Sequence, residues 1–454
     1  MVSALFHRFI PAVLYPGPIA FPVLSQIDVA IRNCDCADGA VQVLQRAKPE
    51  LCARLRSRFP SPVAEALTLK VLNLFLTRYH FRARSSSLLS RPFGLVIDPS
   101  NVCQLACPGC VHSGRNEALK LFDWPNGTLS QDRLSALLKR YGPWAVGAYF
   151  CNYGEPLLNL NTPKLIRRAK TYLLSTGLST SLSVRRFDAE ALVESGLDFM
   201  VLSIDGATQP VYERFRRNGN LELVLSNVRK LADAKRKLRK RTPLLSWNFL
   251  AFEHNAHEIP LAERMARELG VNTFRVVNPF DVTWDDPEIR PAPVKASVRR
   301  LDWLSMANQP TNWNPFPGDL DGQAILQAYE NPWSARIACD SPPTSGHTCH
   351  WLYKNMVMDA NGRIMPCCGA PTPDINLVFG QFDGSGGDPF NSERYGQARA
   401  WFAGVTPTGD APHCTRCEWD HTAVNIGGSE IRRYFQAASG AFFDRRSLQM
   451  LSGW

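Results

Sequence analysis

The chain has no uninterrupted apolar run near the ~18 residues that a membrane-spanning helix needs. It has no internal repeat and no low-complexity tract. The N-terminal stretch MVSALFHRFIPAVLYPGPIAFPV is apolar, but Pro11, Pro16, Pro18 and Pro22 break it. With one early cation and no cleavage site, it reads as mature protein rather than a signal peptide. A strong excess of one charge is also missing: 51 Lys and Arg stand against 41 Asp and Glu, a formal +10 over 454 residues. That permits a nucleic acid, an acidic protein or an acidic substrate as partner and demands none. Charged residues at 20% and hydrophobic ones at 45% exclude a disordered or collagen-like chain. The length predicts two or three domains, with ample material for a core.

What the chain has in excess is cysteine. Thirteen occur, at 34, 36, 52, 103, 107, 110, 151, 339, 349, 367, 368, 414 and 417. An odd count without a secretory signal argues against a disulfide framework, and the clustering argues for metal. Open thiolate sites need reducing surroundings, so the expected location is the cytoplasm. Cys34 and Cys36, a lone Cys-Asp-Cys, read as bystander thiols, and Cys151 as a buried thiol ending an apolar strand.

Residues 1–92 predict a mainly helical extension, with an amphipathic helix over 63–84. From Phe93 strands and helices alternate. Strands are expected at 94–98, 146–152, 178–184, 199–204, 244–252 and 273–277, and helices at 129–141, 162–174, 188–195, 221–239 and 257–269. Ser130 is the expected N-cap of the first of these helices and Gly270 the stop of the last. Six such units predict an α/β fold with a parallel sheet, doubly wound or a partial barrel, and chemistry at the C-terminal strand ends. The basic run 235–241 reads as a solvated helix end. Residues 280–345, rich in Pro, Trp and Asn, read as a bridging segment. A cysteine-containing unit over 346–421 follows, with a hairpin turn at 359–362, and then a closing helix over 422–454.

Cys103, Cys107 and Cys110 form a C-x3-C-x2-C directly after the first strand. Three thiolates on one loop suit an iron–sulfur cubane, whose fourth iron stays open, better than structural zinc, which wants four ligands. Here the sequence resembles the radical SAM family over residues 93–279. Asn152-Tyr-Gly-Glu-Pro156 resembles the family's Gly-Gly-Glu-Pro element, with Gly154 and Glu155 matching and the first glycine missing. The third strand ends in Ser179-Thr-Ser-Leu-Ser183, close to the family's Thr-Asn-x-Ser variants. The fourth gives Leu202-Ser-Ile-Asp-Gly206, then Tyr212-Glu-Arg-Phe-Arg216, which resembles the family's Ser-x-Asp-Gly followed by a Tyr…Arg pair. Trp247-Asn-Phe249 and Phe252-Glu-His-Asn255 resemble a segment near adenine and substrate.

The resemblance implies a partial (β/α)6 TIM-like barrel with a 4Fe–4S cluster on Cys103, Cys107 and Cys110. It also implies S-adenosylmethionine held by Gly154, Glu155, Ser183, Ser203 and Arg216, with the Arg216 fork on its carboxylate.

Cys349, Cys367, Cys414 and Cys417 form a second set. Its spacing alone fits zinc and an iron–sulfur cluster equally. The arrangement resembles the SPASM/twitch auxiliary domain in its one-cluster form. That implies an auxiliary 4Fe–4S cluster on these four residues, with Cys368 able to replace Cys367 and Cys339 a spare.

Taken together, the resemblance implies reductive cleavage of S-adenosylmethionine to a 5′-deoxyadenosyl radical, hydrogen abstraction from substrate, and an electron passed to the auxiliary cluster. The net reaction would be the oxidation of a small molecule. A low-potential donor such as flavodoxin or ferredoxin would supply the first electron. The alternatives are a maturase acting on a ribosomally made peptide, an RNA-modifying enzyme, and a non-enzymatic zinc-ribbon protein. Nucleic acid is not the expected partner, and no membrane span is expected.

Overall fold

The computed structural model describes residues 20–57, 61–113, 126–279, 286–301, 349, 351–367, 377–406 and 413–416. The N-terminal stretch, the closing helix over 422–454, most of the bridging segment, Cys339, Cys368 and Cys417 lie outside these residues.

Helices α1 (Ala20–Arg32), α2 (Ala37–Arg56) and α3 (Ser61–Arg82) come first. A single sheet follows, in the order β10-β9-β8-β1-β2-β3-β4-β5-β6-β7. Strands β1 (Gly94–Ile97), β2 (Gly147–Phe150), β3 (Ser175–Thr180), β4 (Phe199–Ser203), β5 (Leu244–Leu250) and β6 (Thr273–Val277) each pair in parallel with the next. The connections carry α4 (Gln131–Tyr141), α5 (Thr162–Lys170), α6 (Ala189–Glu194), α7 (Gln209–Phe215), α8 (Leu221–Lys237) and α9 (Ile259–Glu268). Strand order that follows chain order is the topology of a β/α barrel, here a partial (β/α)6 TIM-like barrel.

The elements form where local chemistry asks for them. Ser130, Asp188 and Asn220 cap α4, α6 and α8 by accepting the N–H of Arg133, Ala191 and Leu223. Gly270, at φ +71°, ends the α9 segment as expected. Along β4, β5 and β6, Met200, Leu202, Leu245, Trp247, Phe249, Phe274 and Val276 join the main apolar core. By the strand's period of two, Ser203, Ser246, Asn248 and Arg275 face the other way, into the barrel.

Strand β3 lies three residues earlier than the sequence pattern places it. It runs Ser175–Thr180, and Leu182 beyond it takes φ +56°. Ser181 and Ser183 therefore sit in a loop at the rim and not within the strand.

The three N-terminal helices share an apolar cluster with Phe93, Val146 and Leu173, the residues that lead into β1, β2 and β3. They plug the N-terminal end of the barrel. Beyond β6, the strand β7 (Ser297–Arg300) lies antiparallel on that edge, within the segment expected only to bridge.

On the opposite edge α10 (Trp351–Lys354) leads into β8 (Asn355–Met358), which pairs in parallel with β1. Strands β9 (Arg363–Met365) and β10 (Gly380–Gln381) continue antiparallel. The turn falls where expected, with Asp359 Oδ1 accepting the N–H of Asn361 and Arg363. Thus the C-terminal hairpin extends the barrel's own sheet. Helix α11 (Glu393–Phe402) is tied down by the buried Arg399. Its guanidinium donates to the carbonyls of Leu352, Phe390 and Ser86 and to Asn391 Oδ1, against the rings of Phe390 and Tyr395.

Candidate cluster and cofactor site

Cys103, Cys107 and Cys110 occupy the loop after β1, at the C-terminal end of the barrel. Cys107 is buried and the other two are half-buried. They share one patch with Leu105, Phe215, Phe252 and Ile289. The loop is stitched to three neighbours. The Glu155 N–H donates to Val102 O at 2.8 Å and the Ala106 N–H to Arg217 O at 3.1 Å. The Gln104 amide donates to Ser183 O at 2.9 Å and Ser181 Oγ at 3.2 Å. Gln104 is a variable position of the cysteine motif, so sequence reasoning had no signal for it.

Arg216 reaches this loop from the end of α7. Its Nε donates to Asp205 Oδ2 at 2.5 Å, and Nη1 lies 3.8 Å from Cys107 Sγ. Burial alone would lower the guanidinium's pKa, but the Asp205 carboxylate and the Cys107 sulfur outweigh it and raise it. The same arginine opposes the burial that pushes the Cys107 thiol up to about 11. Asp205, at the end of β4, is fixed in turn by the Leu250 N–H at 2.6 Å. Asn255, from the expected 252–255 segment, donates to Asp205 O and Leu250 O. His254 stacks on Phe252 at 5.5 Å, and burial pulls its pKa down to about 4, so its ring is neutral.

Gly154 has a steric reason to be glycine: a Cβ there would stand 1.6 Å from Ser100 O. Asp98 Oδ2 holds the Tyr153 and Gly154 N–H groups at 3.0 and 3.2 Å. Burial pushes Asp98 up to about 7 against the pull of those bonds. Glu155 is buried, and each of its oxygens accepts two bonds. Oε1 takes Thr180 Oγ1 and Leu157 N–H, and Oε2 takes the N–H and Oγ of Ser181. Its carboxylate therefore braces the β3 loop. Ser183 Oγ accepts the Asn220 N–H at 3.0 Å, while Ser203 Oγ meets Ser179 Oγ at 3.4 Å. The structure thus brings Gly154, Glu155, Ser183 and Arg216 around the cysteine loop, with Ser203 on the barrel's inner wall beside them.

Five polar atoms at this rim are buried without a hydrogen-bond partner among the described residues: Asp98 Oδ1, Asn152 Nδ2, Tyr212 Oη and both ring nitrogens of His254. Buried polar atoms are rarely left so, and a rim with donors and an acceptor to spare fits a polar ligand. Among the described residues no three of His, Cys, Asp and Glu converge on a single metal ion. A cluster spreads its thiolates over separate irons, so a loop of three spaced cysteines fits it better than one zinc.

Inside the barrel, Tyr149 and Phe199 stack at 5.8 Å and form a floor. The ring of Phe199 fills the space where a Cβ on Gly177 would be. Above it the register sets Ser203 beside Asn248 and Asn248 beside Arg275, which is 2% exposed. Cys151 follows β2 at the same level as the rim, and its thiol is pushed up by burial and then by Asp98 and Glu155.

In the C-terminal part Cys349, Cys367 and Cys414 all pack against the main core. Cys349 precedes α10, Cys367 follows β9, and Cys414 lies in a short turn, His413–Arg416. Cys417 lies outside the described residues.

Residues 97–245 match the family model described as Radical SAM superfamily. The chain carries a Radical SAM superfamily domain over these residues, and that family implies a 4Fe–4S cluster and S-adenosylmethionine. The chain is similar to a probable GTP 3′,8-cyclase of Methanococcus maripaludis strain C5, 29% identical over 182 residues, which cover 40% of this chain and 56% of the relative. It is also similar to the GTP 3′,8-cyclase of Limosilactobacillus fermentum, 30% identical over 128 residues, covering 28% of this chain and 37% of that one. The chain spans about half the length, or less, of the curated relatives it matches. Among solved structures, Streptococcus suis SuiB bound to S-adenosylmethionine aligns with 83% of this chain and 81% of its own, at 14% identity and a TM-score of 0.46. Among the described residues no helix is long and apolar enough to cross a membrane.

Proposed function

We propose that this chain is a radical SAM oxidoreductase acting on a small molecule in the cytoplasm. Cys103, Cys107 and Cys110 would give their thiolates to one 4Fe–4S cluster and leave its fourth iron to S-adenosylmethionine. The observation that carries the reading is the stitched cysteine loop at the C-terminal end of a parallel barrel, with the buried Arg216 beside Cys107. When bound, the cluster and S-adenosylmethionine supply low-potential one-electron chemistry that opens unactivated C–H bonds.

The chain's own residues bind, orient and exclude water. Asp205 aims the Arg216 fork, which offers the ligand's carboxylate a charge-assisted pair of donors. Gly154 lets backbone approach closely, and Asp98 orients the N–H groups beside it. Glu155 holds the β3 loop through Thr180 and Ser181, and that loop holds Gln104 and the cysteines. Ser183 and Ser203 offer hydroxyls toward the ligand. The aromatic floor and the wall of Ser203, Asn248 and Arg275 suit a small polar substrate better than an extended chain. Cys349, Cys367, Cys414 and Cys417 would carry one auxiliary 4Fe–4S cluster, suited to accepting an electron. A flavodoxin- or ferredoxin-like donor would feed the first cluster.

A second reading takes the substrate class from the relatives' name, a guanine nucleotide. The 182-residue match and the buried cation Arg275 facing the barrel interior favour it. Turnover of GTP, compared with turnover of uncharged sugars, distinguishes the two.

Anaerobically reconstituted protein is expected to hold about eight irons, from two cubanes. With dithionite and S-adenosylmethionine it should release 5′-deoxyadenosine, followed by chromatography. Changing Cys103, Cys107 and Cys110 together to Ala should leave about four irons and no 5′-deoxyadenosine. Continued release from that variant overturns the proposal. The pair Cys349→Ala and Cys414→Ala should also halve the iron, yet leave S-adenosylmethionine cleavage in place. Zinc without iron in the wild type would return the second set to a structural role.

A further inference from the structure

Cys34 and Cys36 lie in the turn between α1 and α2, at the plugged end of the barrel and apart from both cysteine sets described above. Helix α1 ends at Arg32, and Cys36 is the N-cap of the 20-residue α2. Its backbone is extended, at φ −141° and ψ 160°, and its Sγ accepts the Gly39 N–H at 3.4 Å. Cys34 Sγ donates to Ala30 O at 3.3 Å. A Cβ on residue 39 would stand 3.6 Å from Cys36 Sγ and 3.9 Å from Cys34 Sγ. Both sulfurs therefore crowd the same side of the first turn of α2, in space that glycine leaves open. Cys36 is exposed and Cys34 half-buried. Tyr79 of α3 faces Cys34, Asp35 and Cys36, and Arg82 stands near Cys34.

We propose that Cys34 and Cys36 form a thiol–disulfide exchange site whose oxidant is a low-molecular-weight disulfide of the glutathione class. The two sulfurs differ in the way such a site requires: one is open to solvent at a helix N-terminus, and one is sheltered beside it. The exposed Cys36, as thiolate, attacks one sulfur of the small disulfide. A Cys36–S bond forms, the small S–S bond breaks, and one small thiolate leaves. Cys34 gives its proton to solvent, its sulfur attacks Cys36 Sγ, and the second small thiolate leaves. The protein dithiol has lost two electrons to the small disulfide, which ends as two thiols.

The test uses full-length, cluster-loaded protein held anaerobically with glutathione disulfide, then quenched with iodoacetamide and digested with trypsin. Cleavage after Arg32 and Arg46 isolates both cysteines on one peptide, residues 33–46, with no other cysteine. The expected result is that most of this peptide escapes alkylation and is about 2 Da lighter than the dithiol form, returning to the doubly alkylated form after dithiothreitol. Cys34→Ser should trap glutathione on Cys36. Cys36→Ser should leave Cys34 alkylated, and serine at the N-cap keeps α2 folded, as circular dichroism would show. Iron content should be the same in every sample, which separates this exchange from damage to the clusters. A wild-type peptide that stays doubly alkylated overturns the proposal, as does one that keeps glutathione on Cys36 without closing the ring.

Discussion

The two ends of the barrel bury polar groups in opposite ways. At the N-terminal end, Lys70 is fully buried yet donates to the carbonyls of Gly142 and Ala145. Asn73 exchanges two bonds with the backbone of Arg91, donating to its O and accepting its N–H at 2.9 Å each. His80 meets Ser85 Oγ and accepts the Leu89 N–H. At the C-terminal end, Asp98 Oδ1, Asn152 Nδ2 and Tyr212 Oη are buried with no partner among the described residues, a few residues from the cysteine loop. A group satisfied by its own chain contributes to stability, and one left over is a cost kept for a ligand. The lesson is local: Ser90 Oγ, ahead of β1, and the Asn355 side chain, at the start of β8, are also unsatisfied among the described residues although they lie at the plugged end. Orphaned atoms point to a site only where they gather beside reactive side chains.

The contrast is most exposed at Arg216. Replacing it with Ala should weaken S-adenosylmethionine binding about 10- to 100-fold, the worth of a charge-assisted pair of bonds. Iron content should barely move, while the thermal midpoint should fall, because the buried Asp205 carboxylate loses its charged partner. Isothermal titration of reconstituted protein measures the first, and unchanged affinity would remove Arg216 from the site. Asn73→Ala is the mirror image. It leaves the Arg91 N–H and carbonyl without their partners, so it should cost about 2 kcal/mol of stability in a denaturant titration. Release of 5′-deoxyadenosine per folded molecule should be unchanged. If Asn73→Ala altered affinity and Arg216→Ala left it unchanged, the division between the two ends would fail.

The division also explains which parts were legible in the chain. Strands β4, β5 and β6 fell close to their expected places because apolar alternation and flanking Gly or Pro mark them. Strand β3 did not, because Ser175 to Val184 is a Ser- and Thr-rich run with little alternation. Its end is set from outside, by Glu155 gripping Thr180 and Ser181. The cysteine loop and Arg216 were legible through short motifs that follow strands. The clamps were not. Gln104 bonds a carbonyl 79 residues away, and Lys70 bonds carbonyls 72 and 75 residues away. Acceptors on the backbone leave no trace in residue identity, so nothing in the sequence could pair them. The parallel pairing of β8 with β1 was equally hidden, since an edge strand advertises its own alternation and not its neighbour.

The finest distinction lies in pH. Burial pulls the Lys70 ammonium down from its ordinary range to about 7. Between about 7 and the ordinary value of about 10.5 the unfolded chain then binds a proton at this residue that the folded chain does not. Stability contributed by Lys70 must therefore rise as pH rises through that window. It is lowest below 7, where the charge is buried in full. Lys70→Met removes the titration while keeping the stem's length and packing. The unfolding free energy of the wild type, minus that of the variant, should climb from pH 7 to 10 by at most about 1.4 kcal/mol per pH unit. A flat difference would mean that the two carbonyls hold the ammonium charged throughout. The plugged end would then carry no electrostatic strain at Lys70, and satisfaction by the chain's own acceptors would separate the two ends more sharply still.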